Sequence, residues 1–117
     1  VDRVIAALAL DAVADRPART LSRGYRQRTA IAQALVHDPA LLILDEPANG
    51  LDPRQIIEVR SLIRGLAGRH TVLMSSHVLS EVARTADRVG VLLGGRLRGV
   101  RAMTDTPDLE AWFLSLA

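Results

Sequence analysis

The stretch Leu41-Leu42-Ile43-Leu44-Asp45-Glu46-Pro47 decides how the rest of the chain is read. Four apolar residues in succession, with no polar residue alternating between them, predict a short central strand covered on both faces. The strand stops abruptly at two acids and a proline. Upstream, His37-Asp38-Pro39 closes a helical segment, because the residue before a proline is pushed out of the helical region. Downstream, Asp52-Pro53 has the chemistry of a helix N-cap followed by its first residue, and Ile56, Ile57, Ile63 and Leu66 supply the apolar stripe.

Working outward, Val1, Val4, Ile5 and Leu8 fall on one face of a helix ending near Leu10. A second helix is predicted from Tyr25 to His37, with Ala30, Ile31, Ala34 and Leu35 at helical spacing and Arg26, Gln27 and Arg28 crowding its first turn. Thr71 to Ser75 reads as another buried strand. Val78, Leu79, Val82 and Ala86 suggest a short helix before the strand Arg88 to Leu93, and Gly94-Gly95 turns that strand into a hairpin partner over 96–101. Thr106-Pro107 opens a last helix. Alternating strands and helices give an α/β class with a mostly parallel sheet and flanking helices. Only about three core strands are supplied where such a sheet needs helices over both faces, so a further N-terminal part is expected.

The 117 residues, 49% of them hydrophobic, suffice for one small core. All 15 basic residues are arginine, so no GxxxxGK[ST] phosphate loop can occur within this numbering. Against 13 acids they leave a formal charge of only +2, too small a bias to imply a nucleic-acid partner. Cysteine is absent, which removes disulfides, thiol nucleophiles and thiolate metal sites. Tyr25, Trp112 and Phe113 are too few for a base-stacking platform, and every apolar run falls short of the about 20 residues a membrane helix needs.

The candidate chemistry gathers at segment ends. A buried strand delivers Asp45 and Glu46 at its carboxyl end, where open α/β sheets place ligands, and this context outweighs the plain reading of an acid pair as a helix cap. Asp45 is the candidate Mg2+ ligand, and Glu46 the candidate group that orients or deprotonates a water opposite a terminal phosphate. Ser22 and Gly24, within Thr20-Leu21-Ser22-Arg23-Gly24-Tyr25, bring a hydroxyl and backbone donors to a helix start that suits an anionic phosphate. Taken singly they are also an ordinary N-cap and turn. His77, in Ser75-Ser76-His77 after the second strand, is placed to donate a hydrogen bond to a transferring phosphoryl group. His37 and His70 read as surface or cap residues, and the arginines of 96–101 as a solvated edge.

Taken in order, Leu21-Ser22-Arg23-Gly24-Tyr25-Arg26-Gln27-Arg28, the Leu41–Pro47 run, Asn49-Gly50-Leu51-Asp52-Pro53 and Ser75-Ser76-His77 resemble four motifs of ATP-binding-cassette (ABC) ATPases. These are the signature, Walker B, D-loop and switch histidine. The likeness runs from Val1 to Leu114 and is greatest to ATPase subunits of exporters that partner an ABC-2-type permease. It implies a partial P-loop NTPase-like fold, with 1–37 the end of the helical subdomain and 38–117 the C-terminal part of the ATPase core. It also implies two such subunits sandwiching ATP and Mg2+ head to tail. Ser22 and Gly24 would meet the phosphate held by the partner, Asp45 assist the metal, Glu46 activate water, Asp52 couple the opposing sites and His77 sense the terminal phosphate. Arg23, Tyr25 and Ala48 stand where glycine, glutamine and threonine are common, and the first two bear on phosphate approach.

The lysine-bearing Walker A loop and the glutamine loop belong to the expected N-terminal lobe, so the chain alone is expected neither to bind nor to turn over ATP. The other expected partners are a second ATPase subunit and a membrane permease, with a cytoplasmic location at the inner face of the membrane. No nucleic acid is expected. Two further readings share the residues: a non-catalytic interaction module on this scaffold, which the lack of lysine favours, and a fragment of a soluble nucleic-acid or translation ATPase.

Overall fold

The computed structural model describes residues 1–117 as two compact units, Val1–Ser75 and Ser76–Ala117. The first unit holds α1 (Asp2–Ala7), α2 (Arg23–Leu35), β1 (Leu41–Asp45), α3 (Pro53–Gly65) and β2 (Thr71–Ser75). Short 3-10 turns at Asp11–Val13 and Ala18–Thr20 lead from α1 toward α2. The strands β1 and β2 pair in parallel, in register from Leu41 opposite Thr71 to Asp45 opposite Ser75, and α3 lies between them in sequence as a crossover must.

One face of this pair carries the core. Leu42 and Leu44 are buried among Val4 of α1 and Leu8 just after it, Ile31 and Leu35 from α2, and Val59 and Ile63 from α3. Truncating a fully enclosed member such as Leu35 or Ile31 removes about 2–5 kcal/mol, since the space left behind collapses only in part. The opposite face differs from the expectation of a strand covered on both sides: Leu41, Ile43 and Leu73 are 52%, 66% and 59% exposed. Side chains alternate across a strand, and α1, α2 and α3 pack on the Leu42 and Leu44 side only. The second strand is likewise half-covered rather than buried.

The helices keep their predicted places with shifted faces. Asp52 caps α3 and Ile63 and Leu66 are buried as expected, but Val59 joins them on the inner face while Ile57 is 53% exposed. The α2 helix begins at Arg23 and buries Gly24, Arg28, Ile31, Ala32 and Leu35, leaving Ala30 and Ala34 in solvent. The i, i+4, i+7, i+11 spacing from Gly24 to Leu35 defines that face. His70, expected as a surface or cap residue, is buried and bonds backbone: its Nδ1 lies 2.6 Å from the Pro39 carbonyl oxygen, which can only accept, so Nδ1 carries the hydrogen.

The second unit holds α4 (Leu79–Thr85), β3 (Arg88–Leu93), β4 (Arg96–Ala102), a 3-10 turn at Met103–Asp105 and α5 (Leu109–Leu116). The expected hairpin is present: β3 and β4 are antiparallel, joined by Gly94 and Gly95, whose φ of 58° and 74° match the twist of a two-residue hairpin turn. Val91, Leu109 and Trp112 form its core. The Arg101 guanidinium stacks 4.9 Å from the Trp112 ring, so one arginine of that edge is a packing residue as well as a solvated charge. Packing groups residues differently from the motif-based partition at residue 37, because Ala32 and Leu35 share one core with Leu42 and Val59.

Candidate functional site

The carboxyl end of β1 sets the first half of the site. Asp45 is its last residue and faces Ser75 in the parallel register. The Ser75 hydroxyl donates to Asp45 Oδ1 at 2.6 Å and accepts the Glu46 backbone N–H at 2.9 Å. Glu46 itself turns the chain: its φ is +46°, a left-handed conformation that costs a side-chain-bearing residue about 1–3 kcal/mol and persists only where neighbours hold it. Its carbonyl oxygen accepts the Asn49 N–H at 3.0 Å, closing the turn. The outcome is two adjacent carboxylates that leave the strand in different ways, Asp45 exposed and Glu46 half-buried.

Two helix starts make the second half. Ser22 is the N-cap of α2, its hydroxyl accepting the Tyr25 N–H at 3.3 Å. Asp52 is the N-cap of α3 in a reciprocal capping box: Asp52 Oδ1 accepts the Gln55 N–H at 2.9 Å, and Gln55 Oε1 accepts the Asp52 N–H at 3.1 Å. The two ends meet across a cleft of about 330 Å³ lined by Ser22, Gly24, Arg28, Asp52, Gln55 and Glu58. Gly24 lets them approach, since a Cβ there would sit 3.1 Å from Gln55 Nε2.

Three of the residues singled out in the sequence, Ser22, Gly24 and Asp52, thus share one cleft, and Asp45 and Glu46 share one strand end. His77 lies in the second unit, exposed, two residues beyond the end of β2. Sequence reading missed the residues that build the cleft wall. Arg28 is nine-tenths buried, pairs with Glu58 and stacks 5.0 Å from the Tyr25 ring, while its Nε has no hydrogen-bond partner. Its place four residues after Gly24 and three before Ile31 on the α2 inner face was the available signal. The Asp52-to-Gln55 spacing likewise announces a capping box. Arg23 reaches toward the loop before Asp52, donating from Nη1 to the Gly50 carbonyl oxygen at 3.1 Å.

No group of three or more His, Asp or Glu side chains is arranged to enclose a metal ion. A single carboxylate such as Asp45 fits a magnesium ion whose remaining ligands are water and phosphate oxygens, because that ion dehydrates reluctantly and seldom needs an all-protein cage. Backbone N–H groups at the start of α2 suit a terminal phosphate for the reasons of dipole and unpaired donors.

Comparison with known proteins bears on this arrangement. Residues 1–49 match the family model for ABC transporters. The chain is 38% identical over 118 residues to the ABC transporter ATP-binding protein YcbN of Bacillus subtilis, an alignment covering 99% of the chain and 38% of that protein. It is 44% identical over 99 residues to the bacitracin transport ATP-binding protein BcrA of Bacillus licheniformis, covering 83% of the chain and 32% of BcrA. Among solved structures, cbiO1 of Clostridium perfringens, part of the ABC transporter complex cbiONQ, superposes with a TM-score of 0.83 at 30% identity, over 94% of the chain and 45% of cbiO1. The ATP-binding cassette MJ1267 gives 0.85 at 24% identity over 97% of the chain, a likeness of fold. The chain therefore spans roughly a third of the relatives it matches in sequence.

Proposed function

The chain belongs to the ABC transporter family of ATP-binding proteins, and from that premise we propose that it is the signature-to-switch portion of an exporter's ATP-hydrolysing subunit. In this reading residues 1–37 end the helical subdomain and 38–117 form the C-terminal part of the ATPase core. A lobe carrying the lysine-bearing phosphate loop completes the subunit, a second subunit completes each site, and a membrane permease converts closure into transport. No helix of the chain is long and apolar enough to cross a membrane. In this reading the subunit meets the membrane through the permease, at its cytoplasmic face. The Leu41, Ile43 and Leu73 face is where the completing lobe packs, each half-exposed side chain contributing about 1–2 kcal/mol once covered.

The chemistry divides among the residues already placed. Asp45 would hold Mg2+, which when bound neutralises charge on the β- and γ-phosphate oxygens of ATP. Glu46 orients the attacking water and accepts its proton. The Ser22 hydroxyl and the N–H groups from Gly24 onward bind the terminal phosphate of nucleotide held by the opposite subunit, and His77 donates a hydrogen bond to the terminal phosphate on which Glu46 acts. Asp52, capping α3 on the far wall of the Ser22 cleft, links one site to the other. The observation that carries this reading is the delivery of Asp45 and Glu46 by the end of a parallel strand, the position at which open α/β sheets place their ligands.

The test is Glu46→Gln in the intact subunit with its permease. Turnover is expected to fall by about 10²-fold or more while nucleotide binding persists, since the amide keeps the size and loses the base. Unchanged turnover would refute the assignment of Glu46 as the base, and a parent subunit that binds nucleotide without turnover would favour a non-catalytic module on the same scaffold.

A further inference from the structure

We infer that Ser75 is a positioning residue for both acids, fixing the Asp45 carboxylate and the Glu46 backbone through one hydroxyl. This rests on the reading of Asp45 and Glu46 given above, but its physical basis is separate from it. Asp45 and Ser75 are the last matched pair of the β1–β2 ladder. Beyond them β1 turns away, and the Glu46 N–H points to no further strand residue. The Ser75 oxygen takes it at 2.9 Å.

The same oxygen has only one hydrogen to give, and it goes to Asp45 Oδ1 at 2.6 Å. The three groups therefore form a directed chain from the Glu46 N–H through the Ser75 hydroxyl to the Asp45 carboxylate. Each bond in such a chain polarises the next. A bond to Oδ1 sets the rotation of the Asp45 carboxylate. A bond to the Glu46 N–H helps keep that residue at a φ of +46°, which a glutamate does not adopt unaided. Orientation of the metal-holding acid and direction of the water-activating acid thus depend on one hydroxyl from the neighbouring strand.

Ser75 is exposed at the strand end rather than buried in the core, so removing its hydroxyl leaves no cavity and keeps β2 intact. Alanine lets Asp45 rotate and lets Glu46 relax toward negative φ. Threonine retains the oxygen and its hydrogen on a side chain well suited to a strand. Both hydrogen bonds of the Ser75 hydroxyl go to Asp45 and Glu46, so the loss is expected chiefly in kcat.

The experiment uses the intact ATPase subunit in complex with its permease, carrying Ser75→Ala, Ser75→Thr or Glu46→Gln. Ser75→Ala is expected to lower kcat about tenfold, leave KM for MgATP within about twofold, and speed hydrogen exchange of the Glu46 amide about tenfold. Ser75→Thr is expected to restore both kcat and exchange. Wild-type kcat or wild-type Glu46 exchange in Ser75→Ala overturns the inference, as does failure of threonine to rescue. A Glu46→Gln protein that turns over normally refutes the base assignment instead, while the exchange rate in Ser75→Ala still reads the hydroxyl's hold on Glu46.

Discussion

The Arg23 guanidinium donates a hydrogen bond to the Gly50 carbonyl oxygen at 3.1 Å, tying the first residue of α2 to the turn that precedes Asp52. The arginine that departs from the family spelling is thus a strut between the Ser22 loop and the Asp52 loop. Gly50 has a φ of +76°, and a Cβ there would lie 3.1 Å from Arg23 Nη1, so the two residues constrain each other. Gly50→Ala is expected to cost about 1–2 kcal/mol from the left-handed backbone, and Arg23→Ala about 0.5–1 kcal/mol from the lost bond. Because alanine at 50 also displaces the guanidinium, the double variant should lose less than the two together. A double-mutant cycle by urea denaturation checks this, and strict additivity would show the strut to be inert.

The Arg28–Glu58 pair behaves differently from its neighbour Arg54–Glu58. Arg54 is 91% exposed, so Arg54→Gln should change stability by less than about 0.5 kcal/mol. Arg28 is 10% exposed and cannot rehydrate where it stands. Glu58→Gln is therefore expected to cost about 1–3 kcal/mol, and replacing Arg28 and Glu58 together by leucine should recover most of that loss. Denaturation midpoints of the three variants discriminate these outcomes. Equal costs for Arg54→Gln and Glu58→Gln would mean that Arg28 stays solvated.

How far the sequence foretold these relationships varies with their range along the chain. The apolar run 41–44, its acidic end and the Asp52-Pro53 start are local patterns, and each is a strand or cap where expected. Ser75 and Asp45 lie 30 residues apart, and no local pattern states the register that joins them. Arg28 reads as one of three polar residues in a first turn, yet it occupies the inner face, because its guanidinium stacks on the Tyr25 ring while Glu58 answers its charge. Ile43 reads as interior but stands in solvent, since burial depends on which elements cover a face and periodicity reports only that a face exists.

Ser22 has two separable duties. As the N-cap of α2 its hydroxyl accepts the Tyr25 N–H, and Ser22→Ala should cost about 0.5–2 kcal/mol of stability through that bond alone. If it also meets the opposite subunit's terminal phosphate, the same change weakens ATP-dependent pairing of intact subunits. Ser22→Asp separates the duties: aspartate caps a helix as well as serine does but repels an anion. Stability near wild type with lost ATP-dependent pairing is the expected result for Ser22→Asp, read by thermal melts and by sedimentation with nucleotide. Retained pairing would confine Ser22 to capping.

Asp38 is the anchor of the entry to β1 and gives the first unit a defined acid response. The Arg69 guanidinium binds both its oxygens, Nε to Oδ1 at 3.0 Å and Nη2 to Oδ2 at 2.9 Å, and Arg3 adds a bond of 3.3 Å. The hydrogen bond from Arg69 is the main reason that the Asp38 carboxyl is held below the usual carboxylate range, with the charges of Arg69, Arg3 and His70 acting in the same sense. A carboxylate whose folded value is depressed adds stability above its unfolded value and loses it as pH falls through the folded one. The Asp38 contribution should therefore be whole at neutral pH and vanish in strong acid, below the range where free carboxylates titrate. Asp38→Asn is the informative variant, because asparagine tolerates the φ of +52° found here and so removes the charge without adding backbone strain. It should lower the neutral-pH midpoint of denaturation and flatten its fall between neutral and acid pH. An acid response as steep as that of the parent chain would show that other carboxylates carry it.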